Sequence, residues 1–222
     1  MLCHFASATC VGPTRIEAGF RFIAIDHRAA ARGSNSSLLI DGILAKLEID
    51  RCHLLGTAAG GGAALQFALA HPEKLRSLIV ANSIGFVLDS DYIEMSNRLR
   101  PAPQFNQLPL EFRELGPSYR AADPDGVARW LALSGRGQAS PGAVAQEGGN
   151  VEVTWDKLVT LKVPTLLVTG DADLYTPPSV LRMFTARMPH AESAVIAETG
   201  HSSYWENPAA FNQAVLAFIR KH

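Results

Sequence analysis

Short apolar runs alternate along the chain with segments whose apolar residues recur at helical spacing. Runs that are mainly apolar and bounded by turn residues are typical of strands buried on both faces of a parallel sheet. The predicted strands are Met1–His4, Phe20–Ile25, Cys52–Leu55, Leu75–Ala81, Pro164–Thr169 and Glu192–Ala197.

Helical patterns lie between these runs, notably over Ser36–Leu47 and Ala63–Ala70. Two further helices are predicted to begin at Thr176-Pro177 and Asn207-Pro208, where the polar side chain caps the helix and proline fits its first turn. Strands that alternate with helices predict an α/β fold with a mostly parallel sheet.

One long segment breaks the alternation. From residue 87 to about 150 there is no clear strand, while prolines, aromatic residues and arginines are frequent. A structureless loop of that length is uncommon inside a compact domain. We therefore predict an inserted, mostly helical cap over residues 87–150, with residues 1–86 and 151–222 forming the core of a single domain.

Composition narrows the function classes. The 222 residues are 47% hydrophobic with a formal net charge of −1, so the chain has no electrostatic footprint for nucleic acid. No apolar run reaches the ~18–20 residues that cross a bilayer, and the N-terminus lacks a signal-peptide pattern. Three cysteines without a CxxC pair favour a reducing compartment, and we expect a cytoplasmic protein whose partner is a small molecule.

The segment Gly56-Thr57-Ala58-Ala59-Gly60 lies where a predicted strand meets a predicted helix. A strand, a glycine-flanked sharp turn and a helix form the context of the nucleophile elbow, G-x-S-x-G. Glycines there permit a strained turn and close packing of the helix on its strand. Ala58 occupies the nucleophile position, although alanine has no oxygen or sulfur with which to attack.

Three more motifs follow predicted strands: Asp26–Ser34, Gly170–Asp173, and Gly200-His201 with Trp205–Pro208 downstream. Together with the elbow, they make the chain similar to the α/β-hydrolase superfamily, and to its capped esterases and C–C hydrolases, from about His4 to the C-terminus. The order nucleophile, acid, histidine is the order that this fold uses.

The resemblance implies a role for each matching residue. Asp173 would be the acid that orients the base His201; Asp171 is the rival acid, out of register with the motif. The backbone N–H groups of Ala59 and Phe5 would form the oxyanion hole. Metal and cofactor are predicted to be absent: zinc spacing, the dinucleotide fingerprint and the P-loop lysine are all missing. Cys10 and Cys52 lack the setting of a replacement nucleophile.

The chain departs from the family at its start. Superfamily members usually begin with an antiparallel hairpin; we expect these leading strands to be missing here, and the usual His-Gly pair is replaced by His4-Phe5. Uncovered strand edges favour pairing with another chain, so a homodimer is one expectation.

The sequence leaves three interpretations of Ala58 open. It could be an engineered replacement of serine, a natural change in an acid–base enzyme such as a lyase or a cofactor-independent oxygenase, or the mark of a ligand-binding pseudoenzyme. In each case the pocket is expected to accept a small apolar carbonyl compound.

Overall fold

The computed structural model describes residues 2–5, 19–25, 36–83, 85, 87–137 and 151–222. Two predicted features fall outside these ranges, namely the Asp26–Ser34 loop and the last part of the predicted cap. Within the described ranges, no helix is both long and apolar enough to cross a membrane.

The predicted parallel sheet is confirmed. Its six strands lie in the order β2-β1-β3-β4-β5-β6, and all of their pairings are parallel. Each strand agrees with a predicted run to within two residues at either end. The strands are β1 Leu2–Phe5, β2 Phe22–Ile25, β3 Cys52–Thr57, β4 Leu75–Ala81, β5 Thr165–Gly170 and β6 Ala191–Ile196.

Helices cover both faces of this sheet and fill the long connection between β4 and β5. In the described ranges they are α1 Ser36–Lys46, α2 Ala59–Ala70, α3 Ser90–Leu99, α4 Gln104–Gln107, α5 Leu110–Glu114, α6 Pro117–Ala122, α7 Pro124–Gly137, α8 Trp155–Thr160, α9 Pro178–Thr185, α10 Ser203–Glu206 and α11 Pro208–Ile219, with a 3₁₀ turn at Pro72–Lys74.

Two predicted helix starts need correction and a third is confirmed. Helix α2 begins at Ala59, four residues before the predicted Ala63, because the chain turns sharply at Ala58. The prediction that Thr176 caps a helix is wrong: α9 begins at Pro178, and the Thr176 hydroxyl donates a hydrogen bond to Asp173 instead. Asn207 does cap α11, since its side chain accepts the N–H of Ala210 at 3.1 Å.

The β4–β5 connection, residues 82–164, is helical in its described part, as predicted. Outside the sheet, Val87 and Val153 form an isolated parallel bridge that joins the two ends of the helical segment. The division of this segment into a separate cap stays a prediction.

The core lies in two layers, one on each face of the sheet. Adjacent residues of β3 show the alternation, since Leu54 belongs to one cluster and Leu55 to the other. Helices α1, α2 and α9 cover the first face, and α11 covers the second with Phe211 and Phe218. Because all six strands are parallel, the loops at their carboxyl ends meet at one edge, where open α/β sheets place their sites.

Candidate active site

The turn at Ala58 has the geometry of a nucleophile elbow. Ala58 adopts φ 50° and ψ −124°, a conformation that a residue with a Cβ rarely takes. Its N–H donates to the carbonyl of Ala81 at 3.1 Å, and its carbonyl accepts the N–H of Gly61 at 3.0 Å. Bonds on both sides therefore hold the strained residue between β3 and α2.

Glycine at position 56 lets the helix approach the strand that precedes it. A Cβ on Gly56 would lie 2.2 Å from the carbonyl oxygen of Gly60 and 2.8 Å from the Cα of Gly61. Both are backbone atoms that cannot move aside. The close approach places the start of α2 directly above the end of β3.

Two N–H groups were predicted to form the oxyanion hole. Ala59 is exposed and is the first residue of α2, and within the described residues its N–H meets no acceptor. The first N–H groups of a helix carry partial positive charge and lack partners inside the helix. Phe5 ends β1 and pairs in register with Gly56, two residues before Ala58. The ends of both segments thus lie at the same edge.

The predicted acid and base are in contact. The His201 Nδ1 lies 2.9 Å from Oδ2 and 3.0 Å from Oδ1 of Asp173, and both side chains are buried. Asp173 follows β5 and His201 follows β6, so neighbouring parallel strands present them at one edge. The rival acid Asp171 is exposed.

Hydrogen bonds from neighbouring donors fix the Asp173 carboxylate in the orientation that meets His201. One oxygen accepts the backbone N–H groups of Tyr175 at 2.8 Å and Thr176 at 3.0 Å. The other accepts the hydroxyls of Thr176 at 2.8 Å and Thr169 at 3.2 Å, and the side-chain amide of Asn82 at 3.1 Å. Because every one of these partners donates, they favour the ionised carboxylate.

Burial and pairing act in opposite directions on both groups. Burial disfavours the charge on Asp173, but His201 and the hydrogen bonds from His201 and Thr176 outweigh it and hold the Asp173 pKa well below its usual range. Burial likewise opposes the imidazolium, but the Asp173 carboxylate outweighs it and raises the pKa of His201, with a further contribution from Glu114. The pair is therefore suited to hold a proton on His201.

Sequence reasoning missed Asn82, the residue that joins the elbow to the acid and the base. Asn82 is fully buried at φ 46° immediately after β4, and its side-chain amide donates to Asp173 and, at 3.2 Å, to the carbonyl of Gly200. The preceding residue, Ala81, accepts the N–H of Ala58. An asparagine just after a buried strand was the available signal, since asparagine tolerates positive φ better than most residues.

Aromatic and charged residues close the site from the side of the β4–β5 connection. The Tyr175 ring lies 4.3 Å from the His201 ring. The Phe105 ring contacts the same tyrosine, with its centre 5.0 Å from that of Tyr175. Burial and the nearby Glu114 carboxylate raise the pKa of the Tyr175 phenol. The Arg100 guanidinium lies 5.7 Å from the centre of the same ring. Tyr175, which sequence reasoning did not place in the site, thus contacts His201.

Within the described residues, no group of three or more His, Cys, Asp or Glu side chains is arranged to hold a metal ion. The chemistry available from these side chains is proton transfer by the Asp173–His201 pair beside the N–H donors of the elbow.

Comparison with known proteins agrees with this fold. The family model for the alpha/beta hydrolase fold matches residues 6–208. The chain belongs to the α/β-hydrolase family. In this α/β-hydrolase, the match spans the elbow, the acid and the base.

Curated relatives and solved structures extend the comparison. The chain is 25% identical to the 2-hydroxy-6-oxononadienedioate/2-hydroxy-6-oxononatrienedioate hydrolase of Cupriavidus pinatubonensis, over 92% of this chain and 78% of the relative. It is 30% identical to the pimeloyl-[acyl-carrier protein] methyl ester esterase of Aeromonas salmonicida, over 76% and 70%. A thermophilic esterase from Thermogutta terrifontis has the same fold, with a TM-score of 0.71 and 22% identity over 100% of this chain and 90% of that one.

Proposed function

We propose that this α/β-hydrolase performs acid–base chemistry on a small apolar carbonyl compound, with Asp173 and His201 as its proton-transfer pair and no covalent nucleophile. The observation that carries the proposal is the buried contact between His201 Nδ1 and both oxygens of Asp173, at 2.9 and 3.0 Å. Five donors fix that carboxylate against the imidazole. A pocket that served binding alone would not require this arrangement.

The elbow supports the same proposal. Ala58 has a positive φ of 50°, a strained conformation for alanine, although its side chain has no reacting group. Strain of this kind costs about 1–3 kcal/mol and persists where the surrounding structure enforces it, often at functional sites. The turn keeps the N–H of Ala59 at the edge of the sheet where the loops that carry Asp173 and His201 meet.

The proposed reaction moves a proton through His201. With Nδ1 held by Asp173, the free Nε2 takes a proton from water or from a carbon next to the carbonyl. Negative charge then develops on the carbonyl oxygen, where the N–H of Ala59 and the N–H of Phe5 are proposed to donate hydrogen bonds. After attack by water, the bond from the carbonyl carbon to the leaving group breaks, and protonated His201, stabilised by the Asp173 carboxylate, gives its proton to that group. After removal of a proton from carbon, protonated His201 returns the proton to the enolate. The chain itself forms no covalent bond to the substrate.

The names of the relatives indicate the substrate class. One acts on a hydroxy-oxo-dienedioate and the other on a methyl ester, and both compounds contain a carbonyl group. We therefore place a carbonyl carbon near position 58 in the proposed complex.

The test restores a hydroxyl at the elbow. The unaltered chain should turn over p-nitrophenyl butyrate negligibly, because the acyl-accepting group is absent. Ala58→Ser should give a burst of p-nitrophenolate and an acyl adduct on Ser at position 58, detected by mass spectrometry. Adding Asp173→Asn should lower this activity by about 10³–10⁴-fold, because the tautomer of His201 would no longer be fixed. The activity should rise with pH, with a midpoint above the ordinary histidine value of about 6.5, because Asp173 raises the pKa of His201.

Ala59→Ser is the matched control, since it makes the same chemical change one residue beyond the elbow and should give no adduct. A folded Ala58→Ser protein that forms no acyl adduct would contradict the proposed placement of the substrate carbonyl carbon near position 58. Ester turnover by the unaltered chain that survives His201→Ala would contradict it as well.

A further inference from the structure

Glu206 lies outside the predicted site, yet its carboxylate contacts the loop that carries His201. Its two oxygens accept the N–H of Gly200 at 2.9 and 3.0 Å, and one of them accepts the N–H of Ser202 at 3.2 Å. These two N–H groups belong to the residues immediately before and after His201. The carboxylate thus holds the backbone on both sides of the base.

The same carboxylate reaches the β4–β5 connection. Its Oε2 accepts the N–H of Gly116, 90 residues away in the chain, at 2.7 Å. Ser202 makes a second bond to this segment, because its N–H also donates to the carbonyl of Glu114 at 3.0 Å. Local capping of α10 explains the bond to Ser202 but not the bond to Gly116.

The two backbones that Glu206 joins are in close contact. A Cβ on Gly116 would lie 2.8 Å from the Gly200 nitrogen, and a Cβ on Gly200 would lie 2.5 Å from the Gly116 nitrogen. With no side chain on either residue, both N–H groups can point at one carboxylate. The arrangement has an energetic cost, since burial raises the pKa of Glu206 despite its backbone donors.

We propose that Glu206 is a positioning residue that clamps Gly116 of the β4–β5 connection to Gly200 and Ser202, and thereby fixes His201 against Asp173. The inference rests on the proposed role of His201 as the base. Through this clamp, the helical segment over the site and the catalytic loop are held by one side chain.

Two variants test this clamp, one by changing the Glu206 carboxylate and the other by changing the Gly116 backbone that it binds. Glu206→Gln keeps the shape of the side chain but replaces one acceptor oxygen with an NH₂ group that faces N–H donors. Gly116→Ala keeps the Glu206 charge and fits the backbone, whose φ is −65° and ψ is 153°, but it places a methyl group in the contact. Glu94→Gln is the matched control, because it removes one carboxylate charge from an exposed position in α3.

Amide hydrogen exchange and histidine titration, both followed by NMR, test the clamp without any enzymatic assay. In both variants, exchange of the amides at positions 116 and 200, corrected for the intrinsic rate of each residue type, should accelerate by at least about tenfold, the effect of losing a hydrogen bond to a charged group. The His201 pKa should fall, and its low-field Nδ1 proton signal should weaken, because the contact with Asp173 loosens. A shift common to both variants reports position rather than charge, since only one of them alters the carboxylate.

Exchange rates equal to those of Glu94→Gln would overturn the clamp. Faster exchange with an unchanged His201 titration would overturn the positioning role and leave Glu206 a structural residue only. These readouts are independent of the ester assay, so the inference and the proposed function can fail separately.

Discussion

Ala58 is the residue at which local conformation and chemistry disagree. Its φ of 50° belongs to a region that favours glycine, while its methyl side chain contributes no reacting atom. The conformation is imposed by its neighbours, since the carbonyl of Ala81 and the N–H of Gly61 bind the Ala58 backbone on either side. The fold therefore keeps the elbow whatever side chain occupies it.

Strain at one residue can be measured by removing its Cβ. Ala58→Gly should raise the free energy of unfolding by about 1 kcal/mol, because glycine adopts this backbone without steric cost. Ala45→Gly, at an exposed position inside α1, should lower it by about 1 kcal/mol, the ordinary cost of glycine in a helix. Urea unfolding of both variants measures the difference. Equal losses in the two variants would show that residue 58 is unstrained.

At the scale of elements, the packing of α2 on β3 sets the position of the elbow. The contact is so close that Gly56 has backbone atoms at 2.2 Å from where its Cβ would be. No rotamer change can relieve such a clash, so the helix would have to move away from the sheet.

We expect Gly56→Ala to lower the free energy of unfolding by about 1–3 kcal/mol, the usual cost of overpacking. It should also reduce the acyl burst when combined with Ala58→Ser, because the N–H of Ala59 would move with α2. Gly42→Ala is the control in α1, where nothing lies within 4 Å of the added Cβ. That change should raise stability by about 0.5–1 kcal/mol. Guanidinium unfolding curves of the two variants give the comparison, and a neutral effect of Gly56→Ala would contradict the close packing.

At the scale of the whole molecule, a buried histidine away from the site makes stability depend on pH. His53 in β3 lies beside Ser77 in β4, with its Nδ1 at 2.8 Å from the Ser77 hydroxyl. Burial lowers the pKa of His53 to about 4, helped by the positive charges of Arg76 and His222. A histidine that is neutral when folded and protonated when unfolded destabilises the fold as pH falls.

The free energy of unfolding should therefore fall as the pH drops from about 6.5 to about 4, and the loss should level off below that. His201 acts in the opposite direction, because its raised pKa contributes stability that is lost as pH rises. Asp173, with a lowered pKa, loses its contribution only at more acidic pH.

The contribution of His53 is isolated as the difference between the unaltered chain and His53→Gln, measured by denaturant unfolding at several pH values. Ser77→Ala should lower stability while keeping the pH slope, and a slope unchanged in His53→Gln would contradict the assignment.

Much of the fold was determined by the sequence itself. Five of the seven residues of Leu75–Ala81 are apolar and six are buried, as expected for a parallel strand covered on both faces, so burial can be recognised from the local sequence. The elbow glycines and the positions of Asp173 and His201 after their strands are local marks as well. Each reflects a constraint that acts within a few residues of the chain.

The tertiary structure decided which distant groups meet. Thr176 was predicted to cap a helix, but α9 begins at Pro178 with Pro177 at the cap position, and the Thr176 hydroxyl donates to the Asp173 carboxylate. The roles of Asn82 and Glu206 were hard to predict from the sequence, because their partners are distant in the chain. Asn82 binds Asp173, 91 residues away, and Glu206 binds Gly116, 90 residues away. A hydrogen bond over that distance depends on how strands and loops are arranged in space. The sequence by itself therefore specified the sheet, the sharp turn at Ala58 and the candidate pair Asp173 and His201, and only the folded chain showed what holds that pair in position.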